Sequence, residues 1–196
     1  MDWTAFGESF VILTVIMDPV GVAPIFLAVT SRLSVAERQR AAVRAALAAG
    51  GLILGFALFG QFVLEYLNVS VQSLSIAGGL LLLLVALEML RGMDIPTGAS
   101  GDDVALVPLA TPLVAGPGAI ATVIVLSQQN PSTGGRAAVL LGALVAVVVV
   151  GLTFLCAERL ARSLSPAIIS FLTRVLGLLL AAIAVQLVVE GARGLS

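Results

Sequence analysis

The chain has no histidine, no lysine and a single cysteine, and only 11% of its 196 residues are charged. Without His, and with Cys156 alone inside an apolar run, the usual ligands of zinc and haem and the partner for a disulfide are missing. Metal, redox and cofactor chemistry are therefore not expected. A net charge of −1 offers no basic field for nucleic acid. Nor does any segment pair a nucleophile with a base at helical spacing, so the chain does not read as an enzyme.

What is abundant is apolar side chain. Hydrophobic residues make up 60% of the sequence and the mean hydropathy is +1.16, which leaves too little polar surface to coat a water-soluble globule. A helix needs about 20 apolar residues to cross a bilayer. Six such stretches are predicted, at roughly 8–29, 41–66, 72–91, 104–127, 136–157 and 168–190. Asp2 and Glu8 stand where a cleaved signal would carry basic residues, so the first segment is read as retained.

All ten basic residues are arginines, and their distribution predicts orientation. Arg32, Arg38, Arg40 and Arg44 lie in or near the first loop, Arg91 in the third, and Arg159, Arg162 and Arg174 around the fifth. Only Arg136 and Arg193 fall on the other side, which places both termini outside. Two helix starts are also written locally. Ser34-Val35-Ala36-Glu37 has the form of a capping box, and Ser165-Pro166 that of a cap followed by a first helical residue.

The chain matches itself. Pro19 and Pro24 in the first span align with Pro112 and Pro117 in the fourth at an offset of 93. Arg40-Ala41-Ala42-Val43 recurs as Arg136-Ala137-Ala138-Val139 at an offset of 96, and Gly79 with Glu88 recurs as Gly177 with Gln186 at an offset of 98. Three matches in the same order imply a duplication: a first three-helix repeat over 1–92, a linker over 93–103 and a second repeat over 104–196. Three spans is an odd number, so the second copy enters the membrane from the opposite side. The expected fold is an all-α membrane protein of six transmembrane helices in two inverted three-helix repeats, with broken first and fourth helices.

Proline inside a helix removes a hydrogen bond and costs about 3 kcal/mol. Freed backbone groups cannot face lipid, so paired breaks belong in a buried or wet cavity. The candidate binding residues are accordingly Asp18, Pro19, Gly21, Val22 and Pro24 at the first break, and Thr111, Pro112, Gly116, Pro117, Gly118 and Thr122 at the second. A carboxylate deep in a span costs about 3 kcal/mol on insertion scales, which marks Asp18 as an ammonium contact or the proton carrier. The plainer alternative is that Asp18 lies nearer an interface and caps the second half-helix. Glu88 with Arg91 reads as an interfacial pair, Arg174 as a snorkelling anchor, and Gly50, Gly51, Gly55 and Gly60 as close-packing positions.

Four stretches carry a family likeness: Met17-Asp18-Pro19-Val20-Gly21 through Pro24-Ile25-Phe26, Ser75-Ile76-Ala77-Gly78-Gly79, Val107-Pro108-Leu109-Ala110 through Ala115-Gly116-Pro117-Gly118, and Arg174-Val175-Leu176-Gly177. In these the chain resembles the MarC family of bacterial inner-membrane proteins, also described as the neutral amino acid transporter family. The resemblance implies six helices in the cytoplasmic membrane and movement of small neutral amino acids such as glycine and alanine, driven by an ion gradient. Many members carry Asn where this chain has Val22; if that amide contacts ligand in relatives, substrate choice or affinity differs here. The fold is also similar to that of LysE-type exporters, which leaves the direction of transport open.

The resulting expectation is an ion-coupled secondary transporter working by alternating access. Its partners are a small zwitterionic substrate, the bilayer, and a proton or sodium ion coupled through Asp18. The alternatives are an exporter or channel for other small solutes, or a structural membrane subunit without transport. Coupling ion and oligomeric state stay open.

Overall fold

The computed structural model describes residues 2–30, 33–91, 115–163 and 165–195. They form seven helices: α1 (Trp3–Met17), α2 (Pro19–Val29), α3 (Val35–Tyr66), α4 (Val71–Arg91), α5 (Pro117–Gln129), α6 (Thr133–Ser163) and α7 (Pro166–Arg193). Among the described residues there is no strand. Five segments are long and apolar enough to cross a membrane, namely Trp3–Ala23, Val35–Tyr66, Val71–Arg91, Thr133–Leu160 and Ala167–Arg193. The molecule is thus an all-helical, multi-pass integral membrane protein. The 93–103 linker and the first part of the expected fourth span lie outside the described residues.

The local signals act as the sequence implies. Ser34 and Glu37 close a reciprocal capping box, with the Ser34 amide donating to Glu37 Oε2 at 2.9 Å and the Glu37 amide to Ser34 Oγ at 3.4 Å. Ser165 Oγ accepts from the Ile168 amide, and Pro166 fills the first helical position, where its missing N–H costs nothing. Ser132 starts α6 in the same manner, accepting from the Gly135 amide at 3.0 Å.

Packing follows lipid rules rather than aqueous ones. The tails outside are as apolar as leucine, so helices associate through small residues that let backbones approach. In α3 the buried seam is Ala41, Ala45, Ala49 and Ile53, continuing at Gly60 and Leu64, whereas Leu47, Leu58, Phe59 and Phe62 point outward. α1 and α6 approach closely at Gly142, where a Cβ would stand 2.8 Å from the Phe6 carbonyl and 2.9 Å from Ser9 Cβ. Phe26 and Phe154 stack with centroids 4.6 Å apart and lock α2 onto α6.

The four glycines of α3 divide in two. A Cβ on Gly60 would meet Ile124 at 2.5 Å and one on Gly50 would meet Val147 at 3.2 Å, as expected of close packing. Gly51 and Gly55 face open space instead. Glu88 and Arg91 also depart from expectation: both are exposed and they form no ion pair with each other.

Two arrangements dominate the bundle. α6 packs against α1, α3 and α2, with α5 between α3 and α4, and α4 pairs along its length with α7. In the latter pair a Cβ on Gly79 would stand 2.7 Å from the Ala184 carbonyl, and one on Gly177 would stand 3.3 Å from the Ala86 carbonyl. Helix α5 is enclosed on every side, since Ala121 through Ser127 are all buried.

Candidate membrane-embedded polar site

Helix α1 ends because Asp18 leaves helical geometry, at φ 38° and ψ 67°. This left-handed conformation is uncommon outside glycine, though Asp and Asn tolerate it best. Pro19 follows as the first residue of α2, where its fixed φ suits a helix start and no amide is lost. The Asp18 amide still closes the last turn of α1, donating to the Thr14 carbonyl at 3.1 Å. Its carbonyl accepts from Val22 at 3.0 Å, so one residue ends one helix and begins the next.

The Asp18 side chain caps α2. Oδ1 accepts from the Gly21 amide at 3.0 Å, the geometry of an aspartate capping its third helical residue. The glycine is required there, because a Cβ at position 21 would overlap the Asp18 carboxylate. Asp18 is only 6% exposed and follows the fifteen residues of α1, roughly 22 Å of helix. The capping role that the sequence offered as the plainer alternative is thus filled by a residue buried in the protein.

Pro24 behaves otherwise than expected. It lies inside α2, which stays helical from Pro19 through Val29, so the chain departs from helix at Asp18 and not again at Pro24. Val22 is buried beside the capped turn. At the second expected break, Thr111 and Pro112 lie outside the described residues. Gly116 stands at the cap position of α5 with Pro117 as first helical residue, and no side chain among the described residues caps this end. Pro117 therefore occupies the place in α5 that Pro19, rather than Pro24, occupies in α2. Gly118 packs its bare Cα on Leu82 of α4.

A helix start without a capping side chain leaves its first amide donors without an intrahelical partner. Ala115 and Ala119 around it belong to the same continuous apolar core as Met17 and Val22 around Asp18. One start thus carries a carboxylate, the other no capping side chain among the described residues, and both lie in one core. Thr122, one turn into α5, is 1% exposed and its hydroxyl has no partner among the described residues. The Thr14 hydroxyl, one turn before Asp18, is likewise buried without a partner, a feature the sequence did not single out.

An apolar cavity of about 380 Å³ opens between α3, α4 and α5, lined by Leu52, Leu74, Gly78, Leu81, Ala115 and Ile120 among others. It touches the start of α5, while Asp18 is not among its walls. Among the described residues there is no cluster of three or more Cys, Asp or Glu side chains that could hold a metal ion. Gln186 bonds Glu190 at 2.6 Å and Arg174 is exposed; neither joins Asp18.

Comparison with known proteins agrees with this architecture. The profile described as MarC family integral membrane protein matches residues 3–196. A UPF0056 membrane protein of Methanocaldococcus jannaschii is 37% identical, over 99% of this chain and 98% of its own. The UPF0056 inner membrane protein YhgN of Escherichia coli is 33% identical over 95% of each chain, and the UPF0056 membrane protein YvbG of Bacillus subtilis is 29% identical over 95% of this chain and 93% of its own. No solved structure matches. With the match spanning essentially the whole chain, the protein belongs to the MarC family of integral membrane proteins.

Proposed function

We propose that the protein is a secondary transporter of small neutral amino acids of the glycine and alanine class, coupled to an ion and working by alternating access in the cytoplasmic membrane. The observation that carries this reading is the pair of buried helix starts: α2 capped by the Asp18 carboxylate, and α5 with no capping side chain. A zwitterion complements both, its ammonium toward Asp18 and its carboxylate toward the Gly116–Gly118 amides. Asp18 carries the coupling proton or ion, because an unpaired carboxylate inside a membrane is costly in its charged form.

An inverted duplication supports alternating access. Pro19 and Pro117, Ser34 and Ser132, Arg38 and Arg136, Gly79 and Gly177, and Ala86 and Ala184 are each separated by the same 98 positions. Pro19 and Pro117 each open a helix, and Ser34 and Ser132 each cap one. The reciprocal contacts of Gly79 with Ala184 and of Gly177 with Ala86 are those a two-fold axis between α4 and α7 would generate. This common spacing replaces the offset of 93 that the prolines alone suggest. Rocking of one half against the other about that axis would expose the breaks to each side in turn. The arginine distribution supports placing the Ser34 end in the cytoplasm and both termini outside.

The test is uptake of labelled glycine and alanine into proteoliposomes of the pure protein, with and without an imposed proton or sodium gradient. Saturable, gradient-driven accumulation is expected. Absence of uptake and exchange under every gradient removes the substrate assignment. The same helix starts would also serve an exporter or channel for another small solute. Counterflow separates these, since a channel does not exchange labelled for unlabelled substrate.

A further inference from the structure

Four hydroxyls inside the bundle are consumed locally. Ser9, Thr30, Ser127 and Thr153 each donate to the carbonyl four residues earlier, at 2.6, 2.6, 2.8 and 2.8 Å. Thr173, two turns into α7, forms no such bond. Its Oγ1 stands instead 3.1 Å from the point where a Cβ on Gly21 would be, and Asp18 Oδ2 borders the same point. A hydroxyl from the last helix and a carboxylate from the first are thus brought to one spot over the bare face of Gly21.

Asp18 is short of partners. Oδ1 takes the Gly21 amide, and among the described residues Oδ2 accepts no hydrogen bond and neither oxygen meets a cation. A buried carboxylate in that condition is stable only when neutralised or when a positive group joins it. A hydroxyl oxygen beside it cannot neutralise it but can share a cation with it. An ammonium donating at about 2.8 Å to each of two oxygens spans such a pair, and a sodium ion takes oxygen ligands of the same kinds.

We propose that Asp18 Oδ2 and Thr173 Oγ1 together hold one small monovalent cationic group, so that Thr173 is a ligand that sets its affinity and Gly21 keeps the approach open. This deepens the transport reading and rests on it for the function of the site, though not for the site itself. The cationic group is the ammonium of a zwitterionic substrate or a free sodium ion, and the two are separable.

The experiment measures direct binding of labelled glycine and, separately, of radioactive sodium to the purified full-length protein in detergent, for wild type, Thr173→Val and Thr173→Ser. Valine keeps the shape and removes the oxygen, whereas serine keeps the oxygen. Loss of a hydrogen bond to a charged group predicts that Thr173→Val weakens binding of one probe about tenfold or more, with Thr173→Ser close to wild type. Glycine as the sensitive probe identifies the substrate ammonium; sodium as the sensitive probe identifies a coupling-ion site.

Glycine bound and transported, with Thr173→Val binding both probes like wild type, overturns this proposal and leaves the transport reading intact. Sodium binding that depends on Thr173, without any glycine binding, sustains the site and removes the substrate assignment. Wild type that binds neither probe overturns both. A lower thermal midpoint for Thr173→Val with unchanged binding reduces the contact to a structural bond between Thr173 and Asp18 and likewise overturns the proposal.

Discussion

Arg38 on α3 bonds Glu158 on α6 at 3.5 Å, while its other terminal nitrogen donates to the Thr30 carbonyl, just past the end of α2, at 3.4 Å. One side chain thereby ties three helices at the end of the bundle where α3 begins. At the opposite end Arg136, at the start of α6, donates to Gln61 near the end of α3 at 3.5 Å. The same two helices are therefore clasped at both ends, each time by an arginine from the start of one reaching toward the end of the other.

The two halves of the Arg38 clasp are unequal, and thermal denaturation in detergent reads the difference. Glu158 is about half exposed, so Glu158→Gln is expected to cost no more than about 1 kcal/mol. Arg38→Ala also strips the Thr30 carbonyl of its donor and removes the buried stem, and a loss of roughly 1–3 kcal/mol is expected. Equal losses would show that the ion pair alone holds this end.

Asp18→Asn separates charge from capping. The amide keeps an acceptor oxygen for the Gly21 N–H, so the variant is expected to purify as a single monodisperse species. Gradient-driven accumulation in proteoliposomes should fall at least about tenfold, because the coupling charge is gone. Normal accumulation with unchanged pH dependence would remove Asp18 from coupling. Asp18→Ala loses the cap as well and should be less stable than Asp18→Asn by about 1 kcal/mol.

Glycines that look alike in the sequence should respond in opposite ways. Gly79→Val places a side chain against the Ala184 carbonyl and Val188, forcing α4 from α7, with an expected cost of about 1–3 kcal/mol or more. Gly51→Ala and Gly55→Ala meet nothing, so helix propensity alone acts and the variants should equal or exceed wild type by up to about 1 kcal/mol. Thermal midpoints compared across the three variants check both signs.

Orientation is tested with a membrane-impermeant maleimide on a Cys156→Ser background. A cysteine at Ser132, between α5 and α6, should label in intact cells, and one at Ala36, at the start of α3, only after permeabilisation. The reverse pattern would invert the topology and with it the assignment of the arginine-rich end to the cytoplasm.

The sequence by itself determined the membrane as solvent, the approximate spans and the places where helices start. Those features are encoded within short stretches: apolar length, the Ser34–Glu37 box, Ser165-Pro166, and an aspartate directly before Pro19. Tertiary structure decided the rest. Pro24 stays within α2, Gly60 meets Ile124 while Gly55 meets nothing, and Thr173 arrives beside Asp18 from the far end of the chain. In water a helix declares its buried face by being apolar there and polar elsewhere. In lipid both faces are apolar, so the pattern along a helix cannot say which residues meet, and the polar partners of the site emerge only when distant spans pack.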